Sequence, residues 1–386
     1  MKIGIDISQL AFQGTGVATY TENLILNLLK IDKENEYVFF YSSLRQKLPL
    51  NLKQSLSFRN KSFNIPPLVL ELLWNKFHIV PIETFTGKLD VFHSSDWLEP
   101  PSKCPKVTTI HDLAIFKYPE VFAPKGGHNI IENQKRKLEW VKKETKTIIA
   151  VSESTKQDIV DILKIPEERI KVVYEGADSA YNIQSASVPS GGTTADKQTI
   201  KDIDDVLKKH EIKGKYLLAV GTLEPRKNIK RVIEAYKILI SQYPDISLVI
   251  VGKMGWGEDF GKWKMENGKW KIKFLGYVPK EDLVCLYQGA EVFVYPSLYE
   301  GFGLPVLDAM ASGCPVVTSN VSSLPEVAGD AAILVNPNEV EDIADGIKKA
   351  LADRESLIKK GLVQASKFSW EKTARETLKV YKEVAK

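Results

Sequence analysis

Residues 292–312 read VFVYPSLYEGFGLPVLDAMAS. The run VFVYP (292–296) is short and apolar, as in a buried strand. Gly301 and Gly303 then permit a tight turn and close backbone approach. Pro305 suits the first turn of a helix, where its missing N–H costs nothing. The stretch predicts strand, turn and a helix over 305–312, with the helix starting at the carboxyl end of a strand. Such a start presents unpaired N–H groups and partial positive charge, which together attract an anion. Glu300 precedes the turn and Asp308 lies about one helical turn inside the helix. Two carboxylates beside an anion-binding turn suit a ligand with hydroxyls on both sides of a diphosphate, the layout of a nucleotide sugar. A helix-capping Glu300 and a solvated Asp308 fit the same letters.

Outward from this stretch the same alternation continues. Strands are expected at 216–221, 246–252, 272–276, 315–319 and 331–336, and helices at 228–242, 280–288 and 339–352. The first half repeats the pattern, with strands at 1–7, 37–42, 90–93, 106–110, 147–152 and 170–174. Helices are expected there at 17–30, 128–145 and 153–163. Strands alternating with helices predict mainly parallel sheets covered on both faces, an α/β class of two doubly wound domains. The Ser/Gly/Thr-rich segment 178–214 reads as a linker or flexible loop, ending in a short helix over 201–210. The division is thus 1–177, a linker over 178–214, a second domain over 215–366 and a terminal helix over 367–386, with Ser369 as a plausible N-cap. Ligands of open α/β sheets bind at the carboxyl ends of the strands, and a cleft between two such domains is the expected place for one.

The 386 residues are 44% hydrophobic and 26% charged, an ordinary globular composition that excludes a disordered, collagen-like or coiled-coil chain. Cys104, Cys285 and Cys314 match no CxxC spacing, so a disulfide framework or zinc site is not expected and a cytoplasmic setting is. Asp6 interrupts what a signal peptide would keep apolar, and no apolar run reaches the roughly 18 residues of a spanning helix. A net charge of +4 gives no reason to expect nucleic acid as a partner.

Three further motifs carry chemistry. In GTLEPRKN (221–228), Arg226 and Lys227 follow a strand and open a helix, where a guanidinium fork and a mobile ammonium suit phosphate oxygens. Gly14-Thr-Gly16 follows the first strand but is not GxGxxG, since position 19 is Thr. His111 in TIHD (109–112) stands at a strand's carboxyl end, facing either a substrate or its neighbour Asp112.

Together the Gly16 loop, the THD-type histidine, GTLEPRKN, FLGYV, YPSLYEGFGLPVLDAMASGCPVV and the FSWEKTA helix resemble the family 4 retaining glycosyltransferases over nearly the whole chain. The resemblance implies the GT-B fold, two Rossmann-like domains facing a central cleft, with a C-terminal helix crossing back to the N-terminal domain. It implies a nucleotide-sugar donor on the C-terminal domain and an acceptor on the N-terminal one. Glu300 then contacts sugar hydroxyls, Asp308 the ribose, and Arg226 and Lys227 the diphosphate. His111 touches the donor sugar near the reaction centre, and backbone at Tyr277 and Val278 faces the base. Gly16 and the turn Gly301, Phe302, Gly303 and Leu304 complete the donor contacts. The family pattern has Glu where this chain has Asp308, and many members have Arg where it has Thr222, which puts more weight on Arg226 and Lys227.

No DxD pair stands at a convincing loop position, so the reaction is expected to need no metal and no cofactor beyond the donor co-substrate. The motifs most resemble bacterial mannosyltransferases of surface-polysaccharide assembly, with GDP-mannose as the expected donor and a UDP-hexose as the alternative. The acceptor is expected to be a glycan or a lipid-linked glycan. Residues 45–76 carry six basic residues against Glu71, with Phe58, Phe63, Leu68, Leu72 and Trp74 interleaved. That fits an anionic membrane surface at its inner face, and equally a solvated basic face with inward aromatics. The helix near 135–146 adds a further basic run around Trp140. A nucleotide-sugar epimerase and a non-catalytic nucleotide-sugar-binding subunit are the readings from other classes; a Rossmann dehydrogenase fails on its glycine pattern.

Overall fold

The structure is a computed structural model that describes residues 1–48, 52, 60–122, 130–181, 202–255 and 270–386. It divides into two compact units, one of Met1–Gly176 with Ser369–Lys386, the other of Ala177–Phe368.

The first unit holds β1 (Lys2–Asp6), β2 (Glu36–Ser42), β3 (Asn60–Phe63), β4 (Val91–Ser94), β5 (Lys106–Ile110), β6 (Thr145–Ala150) and β7 (Ile170–Val172). They form one sheet in the order β3-β2-β1-β4-β5-β6-β7, with every pairing parallel. Strands such as β5 are buried along their whole length because helices cover both faces of the sheet. The helix Gly16–Ile31 starts at Thr15, whose side chain accepts from Ala18 N–H, and buries Leu24, Ile25 and Leu28. The helices Ile130–Glu144 and Glu153–Leu163 flank β6. Strand β3 is not anticipated by the sequence: NKSF is polar and short, as an edge strand is free to be.

The terminal helix Trp370–Val384 belongs to this unit and packs on the helix Gly16–Ile31. Ser369 caps it, accepting from Lys372 N–H at 3.2 Å. Its buried stripe, Trp370, Thr373, Ala374, Thr377, Val380, Tyr381 and Val384, keeps the three-and-four spacing of one helix face.

The second unit holds β8 (Tyr216–Val220), β9 (Ser247–Val251), β10 (Ile272–Gly276), β11 (Val292–Tyr295), β12 (Val316–Ser319) and β13 (Ile333–Val335). Their order is β10-β9-β8-β11-β12-β13, again parallel throughout. Ile229, Val232, Ile233, Tyr236 and Leu239 on one face of the helix Ile229–Leu239 enter the core beside Leu217, Leu248 and Val292. The helix Arg354–Ala365 is a further element that the sequence reading passes over.

Of the segment 178–214 read as a linker, residues 182–201 lie outside the described residues. The remainder belongs to the second unit. The helix Ile203–Lys209 packs on the helix Lys280–Gly289, where buried Asp282 accepts from Lys209 Nζ at 2.5 Å and meets His210 Nε2 at 3.0 Å.

Both units share the strand order that reverses beside the first strand. In the second unit β8 and β11 are neighbours there, so the loops after them leave the sheet side by side. In the first unit β4 lies beside both β1 and β5, so the ends of all three converge. These are the crevice positions of doubly wound sheets.

Candidate active site

In the second unit the two loops are laced together. Leu298 N–H donates to Arg226 O at 2.8 Å. Asn228, in the left-handed region at φ 59°, donates through Nδ2 to Pro296 O at 2.9 Å and Pro337 O at 2.6 Å. Gly303 is the N-cap of the helix Leu304–Ala311 at φ 112°, and a Cβ there would come within 2.8 Å of Leu324 Cδ2. Gly301 and Phe302 are buried in the turn, and Leu304 is the first helical residue. Ser322 Oγ accepts from Glu300 N–H at 3.1 Å, which ties the turn to the loop after β12.

Glu300 is 8% exposed, and its carboxylate is the hub of the cluster. Oε1 accepts from Lys227 Nζ at 2.6 Å, Tyr295 OH at 2.8 Å and Ser297 Oγ at 2.6 Å. Oε2 accepts from Arg226 Nη1 at 2.9 Å, while Arg226 Nη2 donates to Glu224 Oε1 at 2.8 Å. Burial works against the Glu300 charge, but Arg226 and Lys227 outweigh it and push the carboxyl down to about 2. Burial and the neighbouring guanidinium lower Lys227, against the pull of Glu300. Lys227 spends one donor on Tyr295 OH and one on Glu300; its third has no partner among the described residues. Glu300 does not cap the helix, so that reading is set aside.

The other residues that the resemblance assigns to the donor, Asp308, Tyr277 and Val278, occupy the same unit. Asp308 is half-buried in the helix Leu304–Ala311, and its charge, after burial, helps raise the phenols of Tyr181 and Tyr287. Gly276 closes β10 at φ 69°. The next residue, Tyr277, is 62% exposed, with Lys253 Nζ 5.0 Å from its ring centre, whereas Val278 is buried.

His111 and Gly16 lie in the first unit. Gly16 opens the helix Gly16–Ile31, and a Cβ on it would meet nothing within 4 Å, so the fold itself does not demand glycine there. His111 follows β5 and lines a cavity of about 20 Å³ with Asp6, Tyr20, His93, Asp96 and Thr109, about enough for one water molecule. Its Nδ1 lies 3.3 Å from Glu175 Oε1. The pairing with Asp112 left open by the sequence is not formed: Asp112 Oδ1 instead accepts from Ala114 N–H at 2.9 Å.

Behind the ring runs a buried relay. The Tyr20 and His111 rings meet edge to face, with centroids 4.6 Å apart. Tyr20 OH is 3.1 Å from Thr109 Oγ1, Thr109 Oγ1 is 2.9 Å from His93 Nε2, and His93 Nδ1 is 2.6 Å from Tyr381 OH on the terminal helix. Burial, then the nearby His111 and Lys137, pushes His93 down to about 3, so it is neutral.

Sequence reasoning missed Glu224, Tyr295 and Ser297, although all three lie inside the quoted motifs. It missed Ser322 and Glu175 because nothing local marks them as neighbours of Glu300 and His111. The structure places Arg226, Lys227 and Glu300 in direct contact, and describes His111 and Gly16 in a separate unit.

Residues 14–181 match the family described as Glycosyltransferase Family 4, and residues 202–364 match Glycosyl transferases group 1. The O-antigen chain mannosyltransferase B of Escherichia coli is 37% identical, over 99% of this chain and 100% of that one. Among solved structures, a sucrose-phosphate synthase from Thermosynechococcus elongatus superposes with a TM-score of 0.72 at 19% identity, covering 99% of this chain and 98% of that one. Anabaena HepE in complex with UDP and glucose does so with 0.70 at 16% identity, covering 99% and 100%. Both units carry parallel Rossmann-like sheets, the GT-B architecture that the motifs imply. With both units matched and a full-length relative at 37% identity, the chain belongs to the family 4 glycosyltransferases and is a glycosyltransferase.

Proposed function

We propose that this enzyme is a retaining mannosyltransferase that moves mannose from GDP-mannose onto a glycan or lipid-linked glycan during surface-polysaccharide assembly. The observation that carries the donor site is the buried Glu300 carboxylate, held ionised between Arg226 and Lys227 at a glycine turn that opens a helix. The mannosyl assignment rests on the Escherichia coli relative, an O-antigen chain mannosyltransferase.

In the reaction the bond from the anomeric carbon to the diphosphate oxygen breaks, and its electron pair stays on that oxygen. A bond from the acceptor oxygen to the anomeric carbon forms, and the acceptor proton passes to the leaving phosphate. Negative charge grows on the leaving group and positive charge on the sugar ring. Lys227, with a donor to spare, Arg226 and the N–H groups that open the helix at Leu304 stabilise the first. Glu300 accepts from sugar hydroxyls, Asp308 from the ribose, and Tyr277 with Val278 borders the base. This reading assigns charge stabilisation to the chain's own residues and requires no metal.

The acceptor side lies in the first unit. Phe63 and Trp74 of the basic segment turn inward, but Leu68, Val69, Leu72, Phe77 and Ile79 are exposed. Lys76 lies 5.3 Å from the Phe77 ring, and Lys143 lies over Trp140, which stacks on His78. Lys53, Phe58 and Arg59 of that segment lie outside the described residues. Exposed apolar side chains on a basic segment, with Lys76 at the Phe77 ring, suit an anionic lipid surface, which would bring the enzyme to a lipid-linked acceptor. No described helix is long and apolar enough to cross a membrane. Co-sedimentation with anionic vesicles at low salt tests this, and no binding discards it.

The donor is tested by thermal shift with GDP, UDP, ADP, GDP-mannose, UDP-glucose and NAD. A ligand at 100 times its Kd adds roughly 2.7 kcal/mol to the state that binds it. Selective stabilisation by GDP and GDP-mannose supports the assignment. A response confined to UDP compounds replaces it with a UDP-hexose, a second reading favoured by the UDP and glucose bound in HepE. A response to NAD alone overturns the donor site.

A further inference from the structure

Glu175 is 4% exposed, and among the described residues its carboxylate meets one hydrogen-bonding or ion-pairing partner, His111. A buried carboxylate with a single cationic partner is strongly committed to that partner, because leaving it unpaired costs several kcal/mol. The backbone on both sides of Glu175 is fixed. Val173 N–H donates to Ala150 O at 2.9 Å, and Tyr174 O accepts from Thr373 Oγ1 of the terminal helix at 2.7 Å. Gly176 packs so closely that a Cβ there would lie 2.2 Å from Trp370 N. The start of the terminal helix therefore clamps the loop after β7 that carries Glu175.

We propose that Glu175 is a positioning residue of the transfer site, binding His111 at Nδ1–H so that Nε2 is the nitrogen presented to the sugar. The proposal rests on the reading of His111 as a donor-sugar contact. A carboxylate only accepts, so Nδ1 carries the proton. Nε2 has no partner among the described residues.

The surroundings also fix the ring's charge. Burial disfavours the imidazolium, but the Glu175 hydrogen bond, nearby Asp96 and the charges of Glu175 and Asp112 outweigh it and hold His111 above its ordinary 6.5. Tyr20 meets His111 with an uncharged ring, and His93 is neutral. With Glu175 ionised the pair has no net charge. The ring can then donate from Nε2 without placing a lone cation where positive charge develops on the sugar.

The test is imidazole nitrogen NMR on the full-length chain, whose five histidines are few enough to resolve, with His111→Asn to assign the signal. In the parent protein the Nδ1–H form should persist across pH, with a midpoint above 6.5. Glu175→Gln keeps an oxygen acceptor without the charge, so the tautomer should stay while the midpoint falls. Glu175→Ala should mix the tautomers; if it does not fold, the isosteric glutamine variant carries the test. GDP release from GDP-mannose should fall at least about tenfold in kcat for Glu175→Ala, with GDP affinity within about twofold of the parent. An unchanged His111 tautomer and midpoint in well-folded variants overturns the pairing. A changed titration with unchanged turnover overturns the catalytic reading of His111, and with it the role of Glu175.

Discussion

Replacing Glu300 by glutamine removes one charge from a buried cluster of two cations and two carboxylates, leaving Arg226 and Lys227 with Glu224 alone. The magnitude follows from the depressed carboxyl. A fall from 4.5 to about 2 amounts to roughly 3 kcal/mol, since one pKa unit is about 1.4 kcal/mol. The side chain is about 10% exposed, so solvent screening does not erase this. Because the folded value is the lower one, the stabilisation is complete above about pH 4.5 and is lost as pH falls through about 2. For a unit of about 150–250 residues, 3 kcal/mol corresponds to roughly 6–12 °C in Tm. Calorimetry of parent and Glu300→Gln, resolving the transition of the second unit, should show that gap at pH 7 and a narrower one at pH 3. Isothermal titration should show GDP still bound, because the cations remain, while GDP-mannose loses its sugar contact. Equal Tm values at pH 7, or a gap that does not shrink in acid, would refute the ion cluster as the device that holds this turn.

Lys227→Ala should weaken GDP binding at least about tenfold, about 1.4 kcal/mol, as read by titration calorimetry. Gly16→Ala should fold normally, since nothing crowds its Cβ, whereas Gly16→Trp should keep its Tm and lose turnover of GDP-mannose; full turnover in the tryptophan variant would exclude Gly16 from the donor site. Gly176→Ala forces a Cβ onto the Trp370 backbone and should destabilise the first unit by about 1–3 kcal/mol in denaturant titrations. Tyr381→Phe removes the 2.6 Å contact to buried His93 and should cost about 1–3 kcal/mol.

Strand positions were the most readable feature of this chain. β10 lies where the apolar run at 272–276 puts it, and the strands on either side end within a residue or two of their apolar runs. Continuous apolar runs are visible because parallel strands are buried on both faces. β3 escaped notice because an edge strand of sequence NKSF has no need of that pattern. The helix Arg354–Ala365 escaped because its buried residues, Leu357, Gly361, Gln364 and Ala365, are too few and too small to draw an apolar stripe.

By itself the sequence determined the α/β alternation, the two glycine turns and the charged residues placed beside them, since each depends on residues close together in the chain. Tertiary structure alone decided what those residues touch. Glu300 and Lys227 are 73 positions apart, and they meet because β8 and β11 are adjacent in the sheet. His111 and Glu175 are 64 apart, brought together across β5, β6 and β7. The partner of His93 is Tyr381, 288 positions away, on a helix that returns to the unit in which the chain begins. A sheet's strand order is set by packing and crossovers rather than by chain order, so sequence spacing carries no record of these contacts.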